Sequence, residues 1–436
     1  MKLRAKLPEN PFLLFLPFLI AYLAYVLLKP TQGNEADEGR YLLFVRNLMQ
    51  GFYSPPAPNV NLWNGPGYPL FILPIIASGL PLIAVTVANA VMHYLSVVFL
   101  FKSLRYWARF GTALAFSLFW ACYINAFQNM PIVATETFTM LLVTLFLYFV
   151  VRIWNKPVPS PSFPHLLPAG ILLGYIVLTK IIFGYVLLLL LLFGMAATLL
   201  SKKNPHVRIV RNMAFIALLV NIPYLMYTYG LTGKMFYWGN SGGQSLYWMS
   251  TPYADEYGDW KGPLVRGTVE MGNFNIPGSE DSLQARHGKD YGYVYGLPVS
   301  EQDDAFKKIA VENIRNHPGK YVLNIVYNAG RLFFHYPFSY AVQRPKTLFV
   351  IPLNAVLFSM LLYALFFSLR NLSRMPAFLQ LLVSVVLLYI ALSLLVSAYT
   401  RMFTVAVPLL LFWFAWVLSE SVPQLMRNRH DADAIR

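Results

Sequence analysis

The chain has 436 residues, of which 57% are hydrophobic and only 12% charged, and its formal net charge is +15. An average soluble domain carries about 25% charged residues, so this composition excludes a soluble fold and identifies an integral membrane protein. With Cys122 as its single cysteine, the chain has neither a disulfide framework nor a thiolate metal site.

Taken in order, apolar runs approaching the roughly 20 residues a helix needs to cross a bilayer core predict ten spans. They cover 11–29, 69–101, 111–127, 132–151, 166–180, 182–200, 212–230, 347–369, 376–398 and 402–419. The first is too long for a signal peptide and no small-residue cleavage site follows it, so it is read as a span. The second is overlong, and Pro74, Gly79 and Pro81 predict a short interfacial piece over 66–79 before the crossing proper. The expected fold is therefore an all-α polytopic membrane protein of about ten transmembrane helices, with outer loops carrying short interfacial helices. Three parts follow: an N-terminal transmembrane module (1–230) that includes the first outer loop (30–66), an outer loop region (231–346), and C-terminal helices with a tail (347–436).

Ten spans put both termini on one side, and the basic residues agree. Lys2, Arg4 and Lys6 fall there, then Lys102, Arg105 and Arg109, Arg152 and Lys156, and Lys202, Lys203, Arg208 and Arg211. Arg370, Arg374, Arg427, Arg429 and Arg436 complete the set, and the positive-inside rule makes that side the cytoplasm. Only Glu9, Glu420, Asp431 and Asp433 join them, which leaves 15 of the 19 carboxylates for the outer side. The basic excess is thus topological, so no nucleic-acid partner is expected and membrane lipid is the natural surrounding. In a bacterial cell this means a multi-pass inner-membrane protein with its long loops in the periplasm.

The stretch "GNEADEGRYLLFVRNLMQGFY" (33–53) holds Glu35, Asp37, Glu38 and Arg40 within six residues, beside the first span. Charge isolated in hydrocarbon is costly. Two readings fit: solvated acids at a helix start, favoured there by the dipole, or a pocket shared with Glu136, just inside the outer end of the fourth span in "PIVATETFTMLLVTLF".

The second outer loop exceeds 100 residues, far beyond an ordinary connection, and predicts a small folded region. Its "NSGGQSLYWMSTPYADEYGDWKG" is rich in Gly, Tyr, Trp and Asn, which suits stacking on sugar rings and bonding hydroxyls, and equally suits an ordered loop with interfacial aromatics. Farther on, "AFKKIAVENIRNHPGKYVLNIVYNAGRLFF" predicts two helices joined at Pro318. In the second, Asn324, Asn328, Arg331 and His335 share one face. That face is either the wet side of an interfacial helix or the border of an active site, with Arg331 gripping an anion.

Seven pieces then occur in a telling order: "DEGRYLLFVRNLMQG", "GPGYPLF", "ATETFTMLL", "GILLGYIVLTK", "NSGGQSLY", "NHPGKYV" with "GRLFF", and "YTRMFTVAVPLL". In this order the chain resembles the GT-C superfamily of membrane glycosyltransferases, specifically bacterial relatives of protein O-mannosyltransferases and of the lipid A aminoarabinose transferase. The resemblance implies an enzyme that moves a sugar from a polyprenyl-phosphate carrier to a glycan, lipid or protein acceptor hydroxyl on the extracytoplasmic face, with inversion. It implies Asp37 as the general base, since one base can activate the nucleophile while phosphate leaves from the opposite face, and Glu38 as the residue that positions Asp37 or the acceptor. Arg40, Tyr41, Lys180, Arg331 and Arg401 would hold the carrier phosphate, whose growing charge cations stabilise. Lys180 alternatively snorkels to the outer interface. Glu136 and Tyr68 are assigned to an acceptor or second acidic site.

The chain departs from the family at Gly65, where aminoarabinose-type relatives have Lys, and at Met402, where Tyr is usual. The seven His are scattered without zinc spacing, and some GT-C enzymes use a divalent cation while others do not; neither metal nor cofactor is expected here. A transporter or flippase of lipid-linked glycans is the first competing class, but no internal repeat is visible and the polar residues concentrate at one face. An O-antigen ligase or polymerase is the second, and such a protein is expected to rely on Arg and His loops without an acidic pair after the first span.

Overall fold

Two short helices, α1 (Pro11–Leu14) and α2 (Leu16–Leu28), open the chain. The computed structural model describes residues 10–33, 37–155, 162–200, 205–262, 274–343 and 345–434, so Glu9, Glu35 and several of the basic residues counted above (Lys2, Arg4, Lys6, Lys156, Lys202, Lys203 and Arg436) lie outside it. Among the described residues all regular structure is helical. The helices that follow are α3 (Glu38–Met49), α4 (Gly67–Ala77), α5 (Ile83–Leu104), α6 (Phe110–Ala121), α7 (Ile124–Phe127), α8 (Thr135–Trp154), α9 (Phe163–Thr179), α10 (Ile182–Leu200) and α11 (Pro205–Thr232). After them come α12 (Gly242–Met249), α13 (Ser279–Tyr295), α14 (Val299–Asn316), α15 (Pro318–Phe334), α16 (Lys346–Arg370), α17 (Ala377–Leu394) and α18 (Thr400–Ala434).

The chain is a multi-pass membrane protein: seven helices, α5, α8, α10, α11, α16, α17 and α18, are long and apolar enough to cross a bilayer. The other three expected spans correspond to the shorter apolar helices α2, α6 and α9, of 13, 12 and 17 residues, so seven of the ten are met by helices of full crossing length. At one end of that bundle Lys102, in the last turn of α5, lies 4.6 Å from the Phe12 ring of α1. The overlong second run is divided as its prolines require, α4 being the short piece and α5 the crossing.

Close packing of α9 on α11 depends on small residues. Gly170 and Gly174 are four apart, and an added Cβ would lie 2.6 Å from Ile216 Cβ and 2.7 Å from Val220 Cβ. Where lipid tails compete with side chains, such flat strips let helices approach and gain dispersion contacts. Asn221 of α11 then donates to the Gly174 carbonyl at 3.1 Å and accepts from the Trp238 indole at 3.0 Å, which ties the hairpin to the chain entering the outer loop region.

Helices α12 to α15 form a layer over one end of the bundle, with a small apolar core around Tyr247, Trp248, Tyr291 and Phe306. Beside it lies a buried polar knot centred on Glu256. Its carboxylate accepts from Thr251 (2.5 Å), His287 (3.0 Å) and Tyr340 (2.5 Å), and the Lys261 ammonium is 3.3 Å away. Burial alone would raise the Glu256 pKa, but Lys261 and His287 hold it below the usual carboxylate range.

Helix α15 begins at Pro318, as the sequence predicts, yet its polar face is dry. Asn324 donates to the Met249 and Thr251 carbonyls (3.0 and 3.1 Å), and Asn328 to those of Leu394 and Val396 (3.0 and 2.6 Å). The apolar face points outward instead, with Val322 60% and Val326 61% exposed. The expected wet face is therefore corrected: at a membrane surface the apolar side meets lipid and the polar side serves buried backbone groups. His335 leaves the row as well, because it ends the helix in the left-handed region at φ 59°.

Two substitutions test these joints. Gly174→Leu is expected to cost roughly 1–3 kcal/mol by overpacking, read as a lower thermal midpoint in detergent. Glu256→Gln strands the Lys261 charge and should cost about 3–5 kcal/mol, read as faster amide exchange across α13 while the transmembrane helices keep their protection.

Candidate active site

The N-terminal end of α3 carries the acids singled out in the sequence. Asp37 occupies the N-cap position, but its side chain caps no helix N–H. Asp at that position normally serves the first-turn donors; here the carboxylate is turned toward arginines. Arg401, at the start of α18, donates to Oδ2 at 2.7 Å, and Arg40, one turn along α3, pairs with Oδ1. The side chain of Asp37 is 19% exposed. It is thus a paired carboxylate with one open edge, and the solvated helix-start reading gives way.

Glu38 is fully buried and serves the frame. Its Oε1 accepts from Thr31 at 2.6 Å and from the Val133 N–H at 2.7 Å, joining the start of α3 to the end of the first span and the approach to α8. So placed, it fixes the start of α3, the segment that carries Asp37.

Glu136, in the first turn of α8, is 2% exposed and receives the Lys180 ammonium at 2.8 Å. Lys180 follows the last turn of α9, and its partner within the protein replaces the expected snorkelling to the interface. Burial alone would push the Asp37 pKa up; Arg401, Arg40 and Lys180 outweigh it and bring it down to about 2. Asp37, Arg40, Arg401, Glu136 and Lys180 therefore form one electrostatic cluster, in which three cations face two carboxylates. A surplus positive charge at a membrane end, with an accessible edge, suits an anion.

Tyr41 and Tyr68 stand behind the cluster. The Tyr41 hydroxyl accepts from Asn64 at 3.1 Å, and its ring packs edge-on against Tyr68 at 5.3 Å. Tyr68 is fully buried, which rules it out as a surface for an acceptor in this conformation. Arg331 is not brought to the cluster: it is buried, donating to the Tyr257 carbonyl at 2.5 Å and to Asn328 at 2.9 Å. Its role is to join α15 to the outer loop region and to the turn before α18, where Thr400 donates to its carbonyl at 3.1 Å.

The departure at Gly65 has a steric cause. A Cβ there would lie 2.1 Å from the Leu178 carbonyl, and one at Gly67 would lie 2.4 Å from the Thr179 hydroxyl. The segment seats directly on the end of α9, and the cation near it comes from that helix as Lys180.

Sequence reasoning missed Trp63. Its ring lies 5.0 Å from the Arg40 guanidinium and also packs on the outer core, so it bridges the first outer loop and the outer layer. The available signal was its place in "NLWNGPGYP", a lone Trp among Asn just before the tight segment. Among the described residues, no three His, Cys, Asp or Glu side chains gather as metal ligands would.

Replacing Arg401 by Gln should raise the Asp37 pKa from about 2 toward its ordinary value near 3.9, measured by carbon NMR of labelled carboxylates. Because this pKa is depressed on folding, its contribution to stability is complete above the unfolded pKa and fades as pH falls through about 2. The stability lost in Arg401→Gln should therefore be constant between about pH 5 and 8.

No family model and no curated protein matches this chain. Several solved structures are similar to it. The oligosaccharyltransferase AglB of Archaeoglobus fulgidus, in complex with an inhibitory peptide and a dolichol-phosphate, is 14% identical over 96% of this chain and 52% of its own, with a TM-score of 0.48. The apo form of that enzyme gives 14% identity, coverages of 97% and 52%, and a TM-score of 0.49. ArnT of Cupriavidus metallidurans bound to undecaprenyl phosphate gives 15%, coverages of 93% and 76%, and 0.39. The chain spans about half the length of the oligosaccharyltransferase structures. At such identities and TM-scores these likenesses carry no argument about what this chain does.

Proposed function

We propose that this chain is an inverting GT-C glycosyltransferase, which takes a sugar from a polyprenyl-phosphate carrier and adds it to an acceptor hydroxyl on the extracytoplasmic face. The observation that carries the reading is Asp37, a partly open carboxylate held between Arg40 and Arg401 beside the Glu136–Lys180 pair. The ordered motifs named above support it, and so does the position of these groups at the end of the bundle under the outer layer.

In this mechanism the acceptor hydroxyl gives its proton to Asp37 while its oxygen attacks the anomeric carbon. The bond from that carbon to the phosphate oxygen breaks on the opposite face, and polyprenyl phosphate leaves with the electron pair. Arg401, Arg40 and Lys180 take up the charge that develops on it, and no metal or cofactor is invoked. Glu38 acts as a positioning residue, through the start of α3.

The low Asp37 pKa makes it a weak base in the empty protein. An arriving phosphate competes for the same arginines, loosens their hold and lifts that pKa toward the ordinary range. Donor binding thus prepares the base, and Asp37 keeps the arginines apart from each other until then.

The test uses purified protein in lipid nanodiscs with a panel of polyprenyl-phosphate sugars. Asp37→Asn should slow release of polyprenyl phosphate by about 10²–10⁴-fold while binding the carrier as well as wild type does. The acid limb of kcat should lie at higher pH than that of kcat/KM, because only the former reports the donor-bound state. Equal turnover by the two proteins, or binding without any sugar release, would remove Asp37 as the base and favour a transporter of lipid-linked glycans.

A further inference from the structure

A cavity lies against α3, between the loop at 55–63 and helices α12 and α14, with a volume of about 430 Å³. That is within the roughly 300–1,000 Å³ of small-molecule sites. We infer that it is a saccharide subsite, which holds the second and following sugars of a neutral glycan acceptor while the terminal sugar meets Asp37. This inference rests on the glycosyltransferase reading and narrows its acceptor class.

The lining decides the chemistry. Asn47, Asn61, Gln244 and Gln302 present carboxamides, Trp63 offers an aromatic face, and Asp303 supplies a carboxylate. Asp303 is fixed in place by the Gly243 N–H, which donates to it at 2.7 Å. Carboxamides and a carboxylate bond paired hydroxyls, and an aromatic face packs against the C–H face of a sugar ring. None of the residues lining the cavity is Lys or Arg, although the chain carries a net charge of +15. A phosphorylated or otherwise anionic acceptor would meet the Asp303 carboxylate in the wall, the cation that acts on it, Lys234, lying outside the lining and already paired with Asp304 at 2.5 Å. The carboxamides are fixed in the wall by protein partners, Asn47 donating to the Tyr53 carbonyl at 3.1 Å and Gln302 to that of Leu297 at 3.1 Å.

Geometry joins this cavity to the reaction centre. Arg40, Leu43 and Asn47 follow one another three and four residues apart on one face of α3, the first paired with Asp37 and the other two lining the cavity. At 1.5 Å per residue, Asn47 lies about 15 Å along the axis from Asp37, farther than one sugar ring reaches. Trp63 spans the interval, lining the cavity while its ring stacks under Arg40. An acceptor of at least two linked sugars is needed to occupy both places.

The experiment titrates full-length protein in nanodiscs, without donor, with an array of neutral di- to hexasaccharides and their phosphorylated counterparts. Binding is followed by tryptophan fluorescence and calorimetry for wild type, Gln302→Leu and Asp303→Asn. The expected result is that at least one neutral oligosaccharide binds and that each variant weakens it roughly tenfold, the loss of one good hydrogen bond. Thermal midpoints and polyprenyl phosphate binding should stay at wild-type values, which separates a lost contact from a lost fold. The inference is overturned if no neutral oligosaccharide binds, if both variants bind as wild type does, or if phosphorylated sugars bind more tightly. Failure of the glycosyltransferase reading would show separately, as Asp37→Asn turning over normally while the saccharide still binds.

Discussion

Charge at the end of a membrane bundle cannot stand alone, and the architecture around Asp37 follows from that constraint. Two carboxylates and three cations converge from four separate segments: Asp37 and Arg40 from α3, Glu136 from α8, Lys180 after α9 and Arg401 from α18. Each is costly to bury without its partner, so the four segments must meet in one register or not at all. The supporting details serve that meeting. Glu38 pins the start of α3 to Thr31 and Val133, and the absence of side chains at Gly65 and Gly67 lets the first outer loop lie flat on the end of α9.

The outer layer is held to the bundle by polar groups as well as by apolar ones, Phe333 of α15 packing on Phe358 and Phe403 at 5.0 and 4.9 Å. Helix α15 turns its amides and Arg331 inward to satisfy the backbone of the 249–257 segment and of the turn before α18, leaving its valines to the surroundings. That turn also begins the helix that carries Arg401. The start of that helix is thus in direct contact with α15, Ala398 donating to Asn328 at 2.9 Å and Thr400 to the Arg331 carbonyl at 3.1 Å.

On the glycosyltransferase reading proposed above, the charged cluster is where a lipid-linked donor and a hydroxylated acceptor would meet, with the polar cavity of Asn61, Trp63 and Gln302 on the acceptor side. The ion pairs of that cluster depress the Asp37 pKa while still leaving the carboxylate an open edge.

The class and the rhythm of the protein are legible in its residues alone. Composition requires a membrane, the apolar runs mark the helices, Pro318 separates α14 from α15, and Asp37 and Glu136 stand out as acids near the bilayer. These are local properties, legible because hydrophobic transfer and proline geometry act on neighbouring residues. Only the tertiary structure decided which charges meet. Arg401 lies 364 residues from Asp37 yet bonds it, whereas Arg331, equally basic and on an equally suggestive face, is absorbed into the frame. The place of Trp63 and the cavity beside it were likewise invisible, because each is made by loops and helices distant in the chain. Ion pairing and cavity shape depend on which helix ends come together, and that is set by packing over the whole bundle.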